Sequence, residues 1–274
     1  MSGWAATPYR VGISGWRYPP WRKVYYPDGL PQRAELEYAS RRLNSIELNG
    51  SFYSLQRPSS YQRWYDETPD GFVFSVKGPR FVTHLKKLAD VDGPLANFFA
   101  SGVLALGEKL GPVLWQLPPT MRFDAEILDA FLSALPRTTT EAAYLARRHD
   151  ERLKDRALTA TTGERPLRYA VEVRHPSFEN AAFVDVLRDQ CVAVVLADTA
   201  GQWPMIRAVT ADFCYLRLHG AEELYVSGYT GEALDDWAAT IRAFAPRDVF
   251  VYFDNDVKVR APFDAMALAE RLAR

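Results

Sequence analysis

Eight short runs rich in β-branched and aromatic residues recur along the chain, separated by stretches with helical spacing, and this alternation constrains the fold more than any other feature. The runs lie at 11–14, 45–48, 73–77, 113–116, 169–173, 192–197, 213–218 and 249–253. Several are apolar without interruption, so neither face can be solvated and each strand needs cover on both sides. Between them, residues 232–244 place Leu234, Trp237, Ile241 and Phe244 on one helical stripe. Residues 124–135 and 180–190 repeat the pattern with Ile127, Leu128, Phe131, Leu132 and Leu135, and with Phe183, Val184 and Leu187. Strand and helix in alternation imply right-handed parallel crossovers, and eight such units in 274 residues fit an α/β fold of the closed (β/α)8 barrel type. An open doubly wound sheet is the alternative. It is disfavoured because Gly12 and Gly15, after the first strand, do not spell the glycine-rich fingerprint of a dinucleotide site.

The chain reads as one domain over 1–274, with a helical insertion at 136–166 before the fifth strand. The insertion holds Thr138–Thr140 and then an Arg- and Lys-rich stretch, 141–156, that reads as an exposed helix ended before Gly163. Lying between a helix and the next strand, it is expected on the barrel face opposite a site. A net charge of −1 argues against a surface coated with positive charge for nucleic acid, although a local basic cleft stays open. Residues 1–10 lack a leader-like apolar core and no run approaches a membrane span, so a cytoplasmic location without membrane contact is expected. Cys191 and Cys214 both read as buried structural thiols. Oligomeric state leaves no mark in the sequence.

In a barrel, the residues that do chemistry stand at the carboxyl ends of the strands and in the loops that follow. Every strand here ends on polar groups. The second offers Glu47 and Asn49 on one face, followed by Phe52 and Tyr53; the third ends at Lys77 with Arg80 and His84 beyond; the fourth ends at Gln116. The fifth carries Glu172, Arg174 and His175, the sixth Asp198, the seventh Arg217 and His219, and the eighth Asp254 and Asn255. After the first strand, Trp16, Tyr18, Trp21, Tyr25 and Tyr26 either wall a flat ligand or pack the top of the barrel.

Charges convergent from so many strands point to a site, although Glu47 and Glu172 could equally be neutralised by Arg174 as structural ion pairs. No organic-cofactor motif is present. A divalent metal is compatible with Glu172, Asp198, His219 and Asp254, but no local ligand spacing demands one. A two-carboxylate glycosidase using Glu47 and Glu172 is disfavoured because the largest clan of barrel glycosidases carries its acids after strands four and seven, where Gln116 and His219 stand here. Lys77, Arg80, Arg174 and Arg217 favour an anionic small ligand.

These residues fall in seven motifs, in order: Gly12-Ile-Ser-Gly-Trp16, Glu47-Leu-Asn-Gly-Ser-Phe-Tyr53, Phe74-Ser-Val-Lys77, Leu110-Gly-Pro-Val-Leu-Trp-Gln-Leu-Pro-Pro119, Glu172-Val-Arg-His-Pro176, Tyr215-Leu-Arg-Leu-His-Gly220 and Tyr252-Phe-Asp-Asn255. Together they resemble the YecE-like family, catalogued as domain of unknown function 72. The resemblance implies a TIM-type barrel and brings no activity. Carried over by motif, it implies site positions at Trp16, Glu47, Asn49, Tyr53, Lys77, Gln116, Glu172, Arg174, His175, Asp198, Arg217, His219 and Asn255. The chain departs from the family pattern at Asp254 and Asp264, where the family often has asparagine. Two classes of function follow. One is a hydrolase or lyase acting on a phosphorylated or nucleotide-like ligand, with Glu47 or Glu172 as base, His175 or His219 carrying protons, and Lys77, Arg174 and Arg217 clamping the anion. A metal-dependent phosphodiesterase is a variant of it by fold analogy alone. The other is a non-catalytic protein that binds a metabolite or nucleic acid.

Overall fold

The computed structural model describes residues 7–274; residues 1–6, which open the stretch read above for a leader, lie outside the described residues. Eight parallel strands close into a barrel in sequence order: β1 (Tyr9–Ser14), β2 (Ser45–Leu48), β3 (Val73–Lys77), β4 (Leu110–Gln116), β5 (Tyr169–Glu172), β6 (Ala193–Asp198), β7 (Phe213–Leu218) and β8 (Asp248–Phe253). β8 returns to β1 with Tyr9 opposite Val249 and Ile13 opposite Phe253. The α-helices are α1 (Glu35–Ser40), α2 (Gly50–Tyr53), α3 (Pro58–Glu67), α4 (Asp92–Ala100), α5 (Ala125–Ser133), α6 (Thr139–Ala146), α7 (Ala181–Asp189), α8 (Gly231–Arg242) and α9 (Ala261–Leu272). Asp124, Thr138, Asn180 and Thr230 cap α5, α6, α7 and α8 by accepting a hydrogen bond from the backbone N–H three residues on, which satisfies a donor that the first turn leaves unpaired. Among the described residues no helix is long and apolar enough to cross a membrane.

The period-two alternation of the strands sorts their side chains into two cores. Val11, Ile13, Ile46, Leu48, Val113, Val171, Val194, Leu196, Leu216 and Val251 point outward into the layer shared with the helices. Leu114, Ala170, Ala193, Val195, Ala197, Phe213, Tyr215, Phe250 and Tyr252 fill the barrel interior. The interior is packed by contrast of size: alanines on β5 and β6 leave room for the rings of Tyr215, Tyr252 and Phe250 from β7 and β8. Two interior hydroxyls find partners on facing strands, Tyr215 with Ser75 at 2.7 Å and Tyr252 with Ser45 at 2.7 Å. Gly12 lets β1 approach β2 closely, since a Cβ there would stand 1.9 Å from the Ser45 carbonyl oxygen.

Three expectations need correction. The repeat of strand and helix fails between β6 and β7, where residues 199–212 cross the outer face without a helix. Arg207, Ala208 and Val209 of this segment, with Val194, Leu196, Cys214, Leu216 and Phe244, line a largely apolar pocket of about 330 Å³. Cys191 is exposed, because β6 begins only at Ala193 and Cys191 occupies the preceding turn with φ of 51°. In the insertion, the α-helix is α6, ending at Ala146 and followed by a single 3-10 turn at Lys154–Arg156, and it is not fully exposed: Ala142, Ala143 and Ala146 are buried where α6 packs on α4. The segment is rooted at the amino-terminal end of the barrel, with Thr139 N–H donating to Arg165 O at 2.9 Å. Its tip nevertheless climbs the flank of α4. Arg148 meets Asp92 at 3.4 Å, Asn97 donates to Asp150 at 2.9 Å, and Arg152 reaches a groove shared with Tyr53, Arg80 and Phe81 beside the opposite mouth.

Candidate functional site

At the carboxyl end of the barrel, the uppermost inward positions of the strands carry Ser14, Glu47, Lys77, Gln116, Glu172 and Arg217, all of them buried. Arg217 is the hub. Its Nε and Nη2 donate to Glu47 Oε2 and Oε1 at 3.1 and 2.8 Å, Nη1 donates to Glu172 Oε2 at 2.6 Å, and Nη2 donates to Asp254 Oδ2 at 2.9 Å. Nη2 also donates to the Ser14 hydroxyl at 3.0 Å. Glu47 is completed by the Ser14 and Tyr215 hydroxyls, which donate at 2.5 and 2.6 Å. Glu172 takes a further pair from Arg174, whose Nε lies 3.1 Å from Oε1. A guanidinium without exposed surface survives because its donors find fixed acceptors and three carboxylates offset its charge.

The titration of these groups follows. Burial alone would raise Asp254, yet Arg217 and then His219 hold it down to about 2. Glu172 is likewise held well below the usual carboxylate range, with Arg217, Arg174 and His219 outweighing desolvation. His219 Nδ1 stands 3.1 Å from Asp254 Oδ2, but without the angle of a hydrogen bond.

Above this floor lies a cavity of about 580 Å³ lined on one side by Lys77, Arg80, His84, Gln116 and Arg174, and on the other by Asp254 and Asp256, with Tyr18, Asn49, Phe52, Tyr53 and Tyr225 between. The lining is therefore bipolar. Arg174 is positioned by Gln116 and Tyr225 at 3.1 and 3.2 Å and stacks its guanidinium 3.9 Å from the Trp203 ring centre. Lys77 differs from both arginines: among the described residues no carboxylate oxygen lies within 4 Å of its ammonium, which rests 4.3 Å from the Phe52 ring centre. Burial first, and Arg217 second, pull Lys77 down to about 8. Burial, then Arg80 and Lys77, bring His84 down to about 4, so its ring is neutral at pH 7. Across the cavity, burial and the neighbouring Asp254 push Asp256 up to about 6.

Strand parity separates the sequence-derived residues. Glu47, Lys77, Gln116, Glu172, Arg174, Arg217 and His219 come together, as does Asn49, which donates to Ser14 Oγ at 2.8 Å. Tyr53 is an exposed rim residue. Asp198 follows the inward Ala197 and so turns outward, accepting from the Tyr229 hydroxyl at 3.0 Å. His175 follows the inward Arg174 and caps a short turn, its Nδ1 accepting from Ser177 N–H at 3.1 Å. Asn255 follows the inward Asp254 and clamps loops, donating to Ser227 O and Asp264 Oδ2, both at 2.9 Å. Trp16 leaves the strand beyond Gly15, whose φ of 82° turns the chain, and packs edge-on against Trp64 at 5.6 Å. Of the aromatic run, Tyr18 alone lines the cavity, while Trp21, Tyr25 and Tyr26 pack against one another. Ser14, Tyr215, Tyr225 and Asp256 are participants that the sequence reading did not single out, although strand parity finds Ser14 and Tyr215; Asp254, weighed there as a metal donor, instead pairs with Arg217.

The four donors weighed for a metal do not converge, since Asp198 lies apart and Glu172 and Asp254 are occupied by Arg217. Among the described residues no group of three or more His, Cys, Asp or Glu side chains is arranged to hold a metal ion.

The barrel and its motifs agree with what known proteins offer for comparison. The model of a protein family described as a protein of unknown function, DUF72, matches residues 10–274. This chain belongs to the DUF72 family. It is 29% identical over 171 residues to the UPF0759 protein YecE of Escherichia coli K12, an alignment covering 61% of this chain and 49% of that protein. The chain thus spans about half the length of the curated relatives it matches. Among solved structures, a DUF72 family protein from Thermotoga maritima superposes with a TM-score of 0.77 at 25% identity, covering 97% of this chain and 99% of the other. A DUF72 family protein from Enterococcus faecalis gives 0.73 at 16% identity, covering 97% and 96%, which speaks for the fold alone. Membership in DUF72 carries no activity with it, so function rests on the site.

Proposed function

We propose that this DUF72 protein is an enzyme of the hydrolase or lyase type that binds a small anionic ligand across the bipolar mouth. The supporting observation is the unequal neutralisation of the cations: Arg217 is consumed by three carboxylates, whereas Lys77 faces the cavity with none within 4 Å among the described residues. A phosphate or carboxylate would sit against Lys77, Arg80 and Arg174, and the remainder of the ligand would lie toward Asp254 and Asp256. Glu47 is poorly suited to be the base, because its oxygens accept four hydrogen bonds from Ser14, Tyr215 and Arg217. Asp256, raised to about 6, is better poised to give and take a proton near neutral pH. Arg217 acts as an internal scaffold, not as a clamp on the ligand.

Millimolar phosphate should raise the melting temperature of the wild type. At ten times Kd the stabilisation is about 1.4 kcal/mol, or roughly 3 to 5 °C for a chain of this size. Lys77→Met should remove most of that shift. No shift in the wild type, or an equal shift in Lys77→Met, would defeat the assignment. The full engagement of Glu47 and Glu172 favours a second reading, a binding protein without chemistry. Capture of metabolites on the purified protein, followed by turnover assays on whatever binds, separates the two: retained but unchanged ligand supports the second.

A further inference from the structure

Lys77 is a lysine where three of its neighbours in the mouth are held by arginine, and its surroundings suit an amine better than a permanent cation. It ends β3, its carbonyl accepts from Ser51 Oγ at 2.6 Å, and the following Gly78 N–H donates to Leu114 O at 2.8 Å, so the base of the side chain is fixed on both sides. The side chain lies along Phe52, is 7% exposed, and finds no carboxylate within 4 Å among the described residues. A residue serving only to hold an anion would gain from the forked, permanently charged guanidinium, as at Arg174. A desolvated amine beside other cations is instead favoured in its neutral, nucleophilic form.

We infer that Lys77 forms an imine with its substrate, which is therefore an aldehyde or ketone carrying a carboxylate or phosphate, such as a 2-oxo acid. This rests on the mouth being the ligand site proposed above. The anionic group would meet Arg174 and Arg80, leaving the carbonyl at Lys77. In the first step the nitrogen lone pair of Lys77 forms a C–N bond as the C=O π pair moves to oxygen, and a proton passes from nitrogen to that oxygen. The carbinolamine oxygen then takes a second proton, for which Asp256 is the lining carboxyl without an ion-pair partner among the described residues, and leaves as water while the nitrogen lone pair forms C=N. The product is a protonated imine and one water, with no oxidant or reductant consumed. Such an iminium draws electrons from the adjacent C–C or C–H bond, which narrows the reaction toward a lyase. The depressed basicity of Lys77, about 8, supplies a neutral fraction at pH 7 that an ordinary surface lysine lacks.

The test is reductive trapping. The wild-type chain is incubated at pH 7 with pyruvate or glyoxylate and sodium cyanoborohydride, and adducts are located by peptide mass spectrometry. Lys77 should be labelled at least about tenfold faster than the half-buried Lys86 and the exposed Lys87, reflecting its larger neutral fraction, and phosphate should suppress labelling at Lys77 alone. Lys77→Arg should keep the phosphate-induced melting shift while losing the site-specific adduct. If phosphate stabilises the wild type but Lys77 is labelled no faster than Lys86, the imine is wrong and Lys77 is an anion contact only. If phosphate gives no stabilisation and Lys77 shows no preferential labelling, the ligand-site reading fails with it. Selective trapping at Lys77 that phosphate does not suppress would also overturn the inference, because the reactive amine would then lie outside the anion site.

Discussion

Arg217→Met should cost at least about 5 kcal/mol and leave little folded protein at 25 °C. Breaking one buried ion pair costs about 3 to 5 kcal/mol through the charge left behind, and this change strands Glu47 and Asp254 and leaves Glu172 with Arg174 alone. A barrel of this size has about 5 to 15 kcal/mol of stability in all. The loss should shrink on acidification. In the wild type, Glu172 and Asp254 have folded-state pKa values below their unfolded ones, so the stability they contribute is present above about pH 4 and lost as pH falls toward the folded values. In the variant, protonation relieves the unpaired carboxylates, and adding Glu47→Gln and Glu172→Gln should restore part of the loss at neutral pH. Urea denaturation followed by circular dichroism measures this. A loss below about 1 kcal/mol would mean that the three carboxylates are hydrated or already protonated. The same reasoning makes Arg217→Met unfit as a fold-neutral probe of ligand binding.

Lys77→Met has the opposite sign: it should stabilise the protein at pH 7. Lowering the folded-state pKa of an amine from 10.5 to about 8 means that the protonated form is disfavoured by folding. At about 1.4 kcal/mol per unit the penalty is about 3.5 kcal/mol, offset by about 1 kcal/mol or somewhat more of lost attraction to the Phe52 ring. A net gain of about 2 kcal/mol, or roughly 4 to 8 °C in Tm, is expected. The penalty is complete below pH 8 and fades as pH rises from 8 toward 10.5, so the gain over wild type should fade across that window. Thermal melts at pH 7 and pH 10 check both points. A variant less stable than the wild type at pH 7 would show that Lys77 is a structural cation. Loss of the phosphate response together with a gain in stability is the signature of a functional group held at a cost to the fold.

The sequence carries most of the barrel, because buried parallel strands are apolar throughout and their ends are marked by abrupt polarity at Lys77, Gln116, Glu172 and His219. Where it failed, the interactions are non-local. The Arg- and Lys-rich stretch after Glu141 reads as an exposed helix, yet α6 ends at Ala146 because its alanines pack on α4 and the chain must then turn to bring Asp150 to Asn97. In 199–212, by contrast, the signal against a helix is local, the pair Gly201 and Pro204, which the alternation of strands and helices leaves out of account. At the mouth, alternation alone separates inward Arg174, Arg217 and Asp254 from outward His175, Asp198 and Asn255. What alternation could not show is which acids share Arg217. Glu47 and Arg217 are 170 positions apart, and only the closed register of eight strands places one guanidinium among β2, β5 and the residue after β8. That pairing removes Arg217 from the ligand and leaves Lys77 as the exceptional group.

The most direct test is the titration of Lys77 itself, by 13C reductive methylation of the folded protein with assignment by Lys77→Arg and NMR from pH 6 to 12. A midpoint near 8 that moves upward by a unit or more when phosphate is added is the expected result, because a bound anion favours the ammonium. A midpoint near the ordinary lysine value of about 10.4, unmoved by phosphate, would contradict the account: Lys77 would then be a solvated or ion-paired cation, and the mouth a structural charge cluster.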